Sequence, residues 1–97
     1  MSEQVVLFGL DGATYDVLDD LVRREVMPFL GRFQSAGARG VLRSTVPPLT
    51  PPAWLSMVTG RSPGAHGIFN FLRFESEDSA YLRIISARDI RCPTLWS

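Results

Sequence analysis

The chain has no lysine. Its ten basic residues are all arginine, balanced by ten acidic ones, so the formal net charge is zero. That balance removes any bulk electrostatic argument for a nucleic acid polymer or an anionic membrane as partner. There is one cysteine, Cys92, which excludes an internal disulfide and a cysteine-based metal cluster and is compatible with a reducing compartment. There is one histidine, His66. No apolar run approaches the roughly 20 residues that span a bilayer. Met1-Ser2-Glu3-Gln4 carries an acid and no basic segment, unlike a secretory leader. The expectation is a cytoplasmic protein without a membrane partner.

What is present is an ordinary globular composition, 45% hydrophobic and 21% charged, in 97 residues. This length suits at most one small domain with a modest core. Val5-Val6-Leu7-Phe8-Gly9-Leu10, ended by Asp11-Gly12, has the continuous apolar character of a strand buried on both faces. Val17, Leu18, Leu21 and Val22 recur at helical spacing between Thr14 and Arg24. Acidic residues lie toward the start of that stretch and Arg23-Arg24 at its end, matching the helix dipole. Pro28 can open a second helix and Gly37 close it. Arg39 to Ser44 reads as a short strand, about Ala53 to Thr59 as a helix stopped by Gly60, and Tyr81 to Ser86 as another strand. Pro93-Thr94-Leu95-Trp96 has the character of a helix start with Thr94 as its cap. Because that helix stops after about one turn, the chain is expected to be the front part of a longer protein, a single incomplete domain over residues 1–97. Strands alternating with helices indicate an α/β fold.

Two residues carry the chemical interest. Asp11 follows an apolar strand, and ligands collect at the carboxyl ends of strands in open α/β sheets. Its alternative role is a turn or helix-cap aspartate. Thr50 stands between Pro47-Pro48 and Pro51-Pro52, on a rigid turn leading to a helix. A threonine hydroxyl attacks phosphorus only if a base or a metal lowers its pKa. A helix N-terminus favours the negative charge involved, although two prolines remove amide donors that a phosphate would use. The alternative for Thr50 is a simple helix cap. His66, in Pro63-Gly64-Ala65-His66-Gly67, can be a ligand, a general acid or a structural donor, and the structural role is favoured. Arg43 and Arg61 are candidates for anion contact or solvated surface residues. Trp54, Phe69, Phe71 and Phe74 are expected in the core or as pocket walls. Asp-Gly after a strand suggests a haloacid-dehalogenase-type phosphatase, but that pattern requires a second Asp where this chain has Ala13.

Taken together, Leu7-Phe8-Gly9-Leu10-Asp11-Gly12, Thr50-Pro51-Pro52, Thr59-Gly60, Pro63 and His66-Gly67-Ile68 resemble the alkaline phosphatase superfamily, and within it the type I phosphodiesterase/nucleotide pyrophosphatase branch. The resemblance implies the N-terminal part of an alkaline-phosphatase-like α/β/α sandwich with a mostly parallel sheet. It implies a metal-dependent phosphodiesterase or phosphatase acting on a small phosphate ester or nucleotide-like substrate. Thr50 would be the nucleophile and also contact a metal, passing through a covalent phospho-threonine. Asp11 would be the first metal-ligating aspartate. The cofactors would be two divalent ions, zinc with manganese as the alternative.

Two departures narrow the resemblance. Nucleotide pyrophosphatases carry Asn three residues after the threonine, where this chain has Ala53. Sulfatases of the superfamily resemble Cys-x-Pro-x-Arg, which Thr50-Pro51-Pro52-Ala53-Trp54 does not match. The remaining metal ligands of the family lie C-terminal to this region, so the isolated 97-residue chain is expected to be inactive. The competing reading is a non-catalytic truncated domain or binding fragment.

Overall fold

A computed structural model describes residues 2–97. The chain divides into two compact units, the first ending at Val41 and the second running over Leu42–Ser97.

The first unit is a helical hairpin. Helix α1, Tyr15–Arg23, follows Thr14 in extended conformation, with Asp16 in its first turn and Arg23 in its last. Helix α2, Pro28–Ala36, begins on its proline, whose missing N–H costs nothing in a first turn, and ends at Gly37. The helices meet closely at Gly31, where a β-carbon would stand 2.8 Å from Val22 Cγ1. Arg39 ties the following segment back to α1. Its guanidinium lies 3.9 Å from the centre of the Tyr15 ring and donates to both Asp19 carboxylate oxygens, at 3.0 and 3.1 Å. The Tyr15 hydroxyl donates to the Gly40 carbonyl at 2.8 Å.

The second unit holds helix α3, Thr50–Thr59, the short helix α4, Pro63–His66, and an antiparallel pair of strands, β1 (Leu72–Phe74) and β2 (Leu82–Ile84). The register pairs Leu72 with Ile84, Arg73 with Arg83 and Phe74 with Leu82. Gly60 and Gly67 end the two helices in the left-handed region, at φ 65° and 81°, where a side chain would clash with its own backbone. The core is small: Ile68 and Val58 are its buried apolar side chains, joined by Pro51, Pro52 and His66. The C-terminal stretch closes onto the helices through main-chain bonds. Arg91 N–H donates to the His66 carbonyl at 3.0 Å and Leu95 N–H to the Val58 carbonyl at 2.9 Å.

Several expectations need correction. Val5–Leu10 is not a strand, nor is the segment 39–44, and Pro93–Trp96 forms a turn rather than a helix. A strand exists only through a partner's backbone, and among the described residues no segment pairs with either stretch. Val5, Phe8 and Val41 are 93%, 83% and 87% exposed. The fold is α/β in content, but its one sheet among the described residues is two-stranded and antiparallel. No helix among the described residues is long and apolar enough to cross a membrane.

Candidate functional site

Thr50 is the first residue of α3, not a residue ahead of it. Leu49 occupies the cap position and provides no side-chain bond. Helix formation therefore begins three residues earlier than Ala53, because Pro51 and Pro52 fall in the first turn, where missing N–H groups are tolerated. The consequence for Thr50 is direct. It does not cap the helix, and its hydroxyl makes no hydrogen bond within the described residues. The half-buried side chain stands beside two buried prolines. Of the helix's first four amides, two are removed by Pro51 and Pro52 and the Ala53 N–H is already spent on the Leu49 carbonyl, at 3.1 Å. An anion approaching this end would find at most the Thr50 N–H from the first turn.

Asp11 lies in the first unit, in a turn with Gly12 at φ 70°. Its carboxylate is exposed and holds no ion pair or hydrogen bond within the described residues. Asp11 and Thr50 are both hard oxygen donors, which suits divalent ions. Among the described residues no group of three His, Cys, Asp or Glu side chains comes together to hold a metal. The donor chemistry thus fits, while further ligands are needed to complete a centre.

His66 is fully buried. Ile68 N–H donates to His66 Nδ1 at 3.2 Å, and His66 Nε2 stands 3.0 Å from Ser56 Oγ on α3. A nitrogen that accepts carries no proton, so the neutral ring is protonated on Nε2 and donates from there. Burial lowers the pKa of His66 below the usual histidine value, and a hydrogen bond to the Pro52 carbonyl opposes that shift. This histidine is a neutral structural donor, as its sequence context favours, and not a ligand. Thr59 likewise serves the scaffold: its hydroxyl donates to the Leu55 carbonyl and accepts Arg61 N–H at 3.2 Å.

The anionic centre of the second unit lies elsewhere. Asp89 is buried, with Arg83 gripping both carboxylate oxygens, Arg73 donating at 3.1 Å and Ser86 N–H at 2.8 Å. The Arg83 hydrogen bond is the main reason that its carboxyl sits far below the usual carboxylate range. Every oxygen is satisfied by residues of the unit itself, so the cluster is a fastening. The sequence signal for it is Ser86-x-x-Asp89, a capping-box spacing around the short turn Ala87–Asp89. Phe69, Phe71 and Phe74 are more than half exposed and do not belong to the core. Phe69 and Phe74 wall an open cleft with Arg73 and Arg91. Arg43 and Arg61 are exposed.

A family model for type I phosphodiesterase / nucleotide pyrophosphatase matches residues 5–97. The chain belongs to this family. The match covers all but the first four residues, and it includes the turn bearing Asp11, the whole of α3 and the His66 loop. No solved structure matches the chain. The family is one of hydrolases that act as phosphodiesterases and pyrophosphatases.

Proposed function

We propose that this chain supplies the nucleophile-bearing part of a phosphate ester hydrolase, with Thr50 forming a covalent phospho-threonine. The observation that carries the reading is the state of Thr50: a helix-start hydroxyl that, among the described residues, has neither a capping role nor a hydrogen-bond partner. The cap position belongs to Leu49, so the Thr50 hydroxyl is not called on to hold the first turn.

Thr50 Oγ1 attacks phosphorus of a small phosphate diester or nucleotide-like ester. A P–O bond to the leaving alcohol breaks as the Oγ1–P bond forms, and the hydroxyl proton leaves for a base or for solvent. Water then attacks the same phosphorus, the Oγ1–P bond breaks, and Thr50 regains its proton. The fixed φ of Pro51 and Pro52, both buried, limits the ways in which Oγ1 can turn away. Asp11 and Thr50 are the residues of this chain that would contact two divalent ions, zinc or manganese. Such ions supply the positive charge that lowers the hydroxyl's pKa and offsets charge on the phosphoryl oxygens. With Ala53 where an asparagine would help hold a phosphoryl oxygen, and only one first-turn N–H left, α3 itself contributes little to phosphate binding.

The ligand set is completed by residues outside these 97. The exposure of Val5, Val6, Phe8, Val41 and Leu42 supports the same conclusion, since apolar runs of this length are normally covered. In this reading the chain is one part of an incomplete sandwich domain, works in the cytoplasm and has no activity by itself. The test is an acid quench of the complete enzyme during turnover of a labelled aryl phosphodiester. Label should appear on Thr50, and Thr50→Ala should abolish both labelling and turnover. Asp11→Asn should lower metal content by elemental analysis. Full activity of Thr50→Ala would overturn the mechanism.

A further inference from the structure

His66 reaches α3 through Ser56: its Nε2 is 3.0 Å from Ser56 Oγ, and the Pro52 carbonyl, one turn earlier, is near enough to favour the charged ring. Pro52 is two residues from Thr50, in the same first turn. That turn is poorly held by its own amides, because Pro51 and Pro52 have none to give. On the other side the ring is immobilised independently of α3. Ile68 N–H donates to Nδ1, Arg91 N–H donates to the His66 carbonyl, and the Arg91 side chain covers Gly67, with Cδ 3.0 Å from where a β-carbon would be. One nitrogen of the imidazole is thus anchored in the loop, and the other holds the helix.

We propose that His66 is a positioning residue: by bridging the Ile68 amide to Ser56, it fixes α3, and with it Thr50, in the reactive orientation without touching substrate. The proposal rests on Thr50 being the nucleophile, but the grip on α3 is a separate physical claim and is measured separately. Misplacing a reacting atom by about an ångström costs on the order of a hundredfold in rate. A lost positioning contact therefore shows in kcat, whereas a contact to bound substrate would show in KM.

Two substitutions separate the ring's two functions. In His66→Asn the amide oxygen can replace Nδ1 as acceptor for Ile68, but the side chain is too short to reach α3. In His66→Gln the longer amide can place a donor near Ser56. Ser56→Ala removes the partner and leaves His66 in place. Two measurements are made on each: amide hydrogen exchange across α3 in the 97-residue chain, and kcat and KM on an aryl phosphodiester in the complete enzyme. His66→Asn and Ser56→Ala should speed exchange in α3 about tenfold or more. Both should lower kcat by roughly tenfold to a hundredfold with little change in KM. His66→Gln should restore most of both. Unchanged α3 exchange in His66→Asn and Ser56→Ala would overturn the grip. Faster exchange with kcat unchanged would overturn the positioning role. Failure of the nucleophile reading is seen differently, as an active Thr50→Ala, and would leave the exchange result standing.

Discussion

The imidazole of His66 and the hydroxyl of Ser56 are 3.0 Å apart, joining the end of α4 to the helix that begins with Thr50. The bond that Nδ1 accepts from Ile68 N–H on the other side of the ring depends on a neutral ring, since protonating Nδ1 would set two donors against each other.

That requirement makes stability sensitive to acid in a definite window. Burial lowers the folded-state pKa of His66 below its unfolded value, near 6.5. The unfolded chain therefore binds a proton more readily, and stability falls as pH drops from about 6.5 through the folded-state pKa. Above about 6.5 the group has no further effect. His66 is the sole histidine, and the depressed carboxylates of Asp19, Asp20 and Asp89 act only at lower pH. Urea unfolding at pH 7.5 and 5.5 should show a loss for the native chain and a nearly flat response for His66→Gln. Parallel behaviour of the two would show that His66 is not the group responsible.

Asp89 provides a second pH dependence with its own sign. Its carboxyl is held far below the usual range, first by Arg83 and next by the Ser86 amide. A depressed pKa gives stability that is complete above the unfolded value, about 3.9, and lost as pH falls from there through the folded value. Asp89→Asn should abolish this acid limb. It should also destabilise at neutral pH, because Arg73 and Arg83 are left facing each other across the strand pair without a counter-charge. The equivalent change at Asp20, whose pairs with Arg23 and Arg24 are exposed, should have little effect. Equal midpoints for the two variants in urea would contradict the reading.

The three longer helices were the part of the fold that could be read from residues alone, whereas the single-turn α4 reads as a loop because of Pro63 and Gly64. Their limits depend on local chemistry: Pro28 and Gly37 bound α2, and Gly60 stops α3. The start of α3 is misread at Ala53 because prolines suggest a loop, although a first turn accepts them. Strands depend on partners, and Val5–Leu10 has an apolar pattern but no neighbour to pair with. The identities of Asp11 and Thr50 as interesting groups were legible from their neighbours in sequence. The partners of His66 were not, because they are the Ile68 amide and Ser56, twelve residues apart in the chain and meeting only in space. Asp89 was hidden for the same reason, its partners Arg73 and Arg83 lying on different strands.

Gly67 and Gly60 have the same backbone requirement but different surroundings. Both have positive φ, yet a β-carbon at Gly60 meets nothing within 4 Å, whereas at Gly67 it meets Arg91 Cδ at 3.0 Å. Gly60→Ala should cost about 1–2 kcal/mol, the strain of a left-handed alanine. Gly67→Ala should cost more, because Arg91 must move from the turn that buries His66. Adding Arg91→Ala to Gly67→Ala should then recover part of the difference. If the two glycine variants unfold at the same urea concentration, the Arg91 contact carries no weight.

Thr50 and Thr59 open and close the same helix, and they should separate function from stability. The Thr59 hydroxyl bonds the Leu55 carbonyl and the Arg61 amide, so Thr59→Ala removes a helix-end fastening and should cost about 0.5–1.5 kcal/mol. The Thr50 hydroxyl caps nothing and bonds nothing among the described residues, so Thr50→Ala should stay within about 0.5 kcal/mol of the native chain. Activity should follow the reverse order: Thr50→Ala loses turnover in the complete enzyme, and Thr59→Ala retains most of it. Thr50→Ser keeps a hydroxyl and should keep measurable turnover, but it lacks the methyl group that restricts χ1. Its kcat should fall with KM nearly unchanged. A Thr50→Ala protein as destabilised as Thr59→Ala would assign Thr50 to the scaffold, since a hydroxyl reserved for chemistry contributes nothing to holding its own helix.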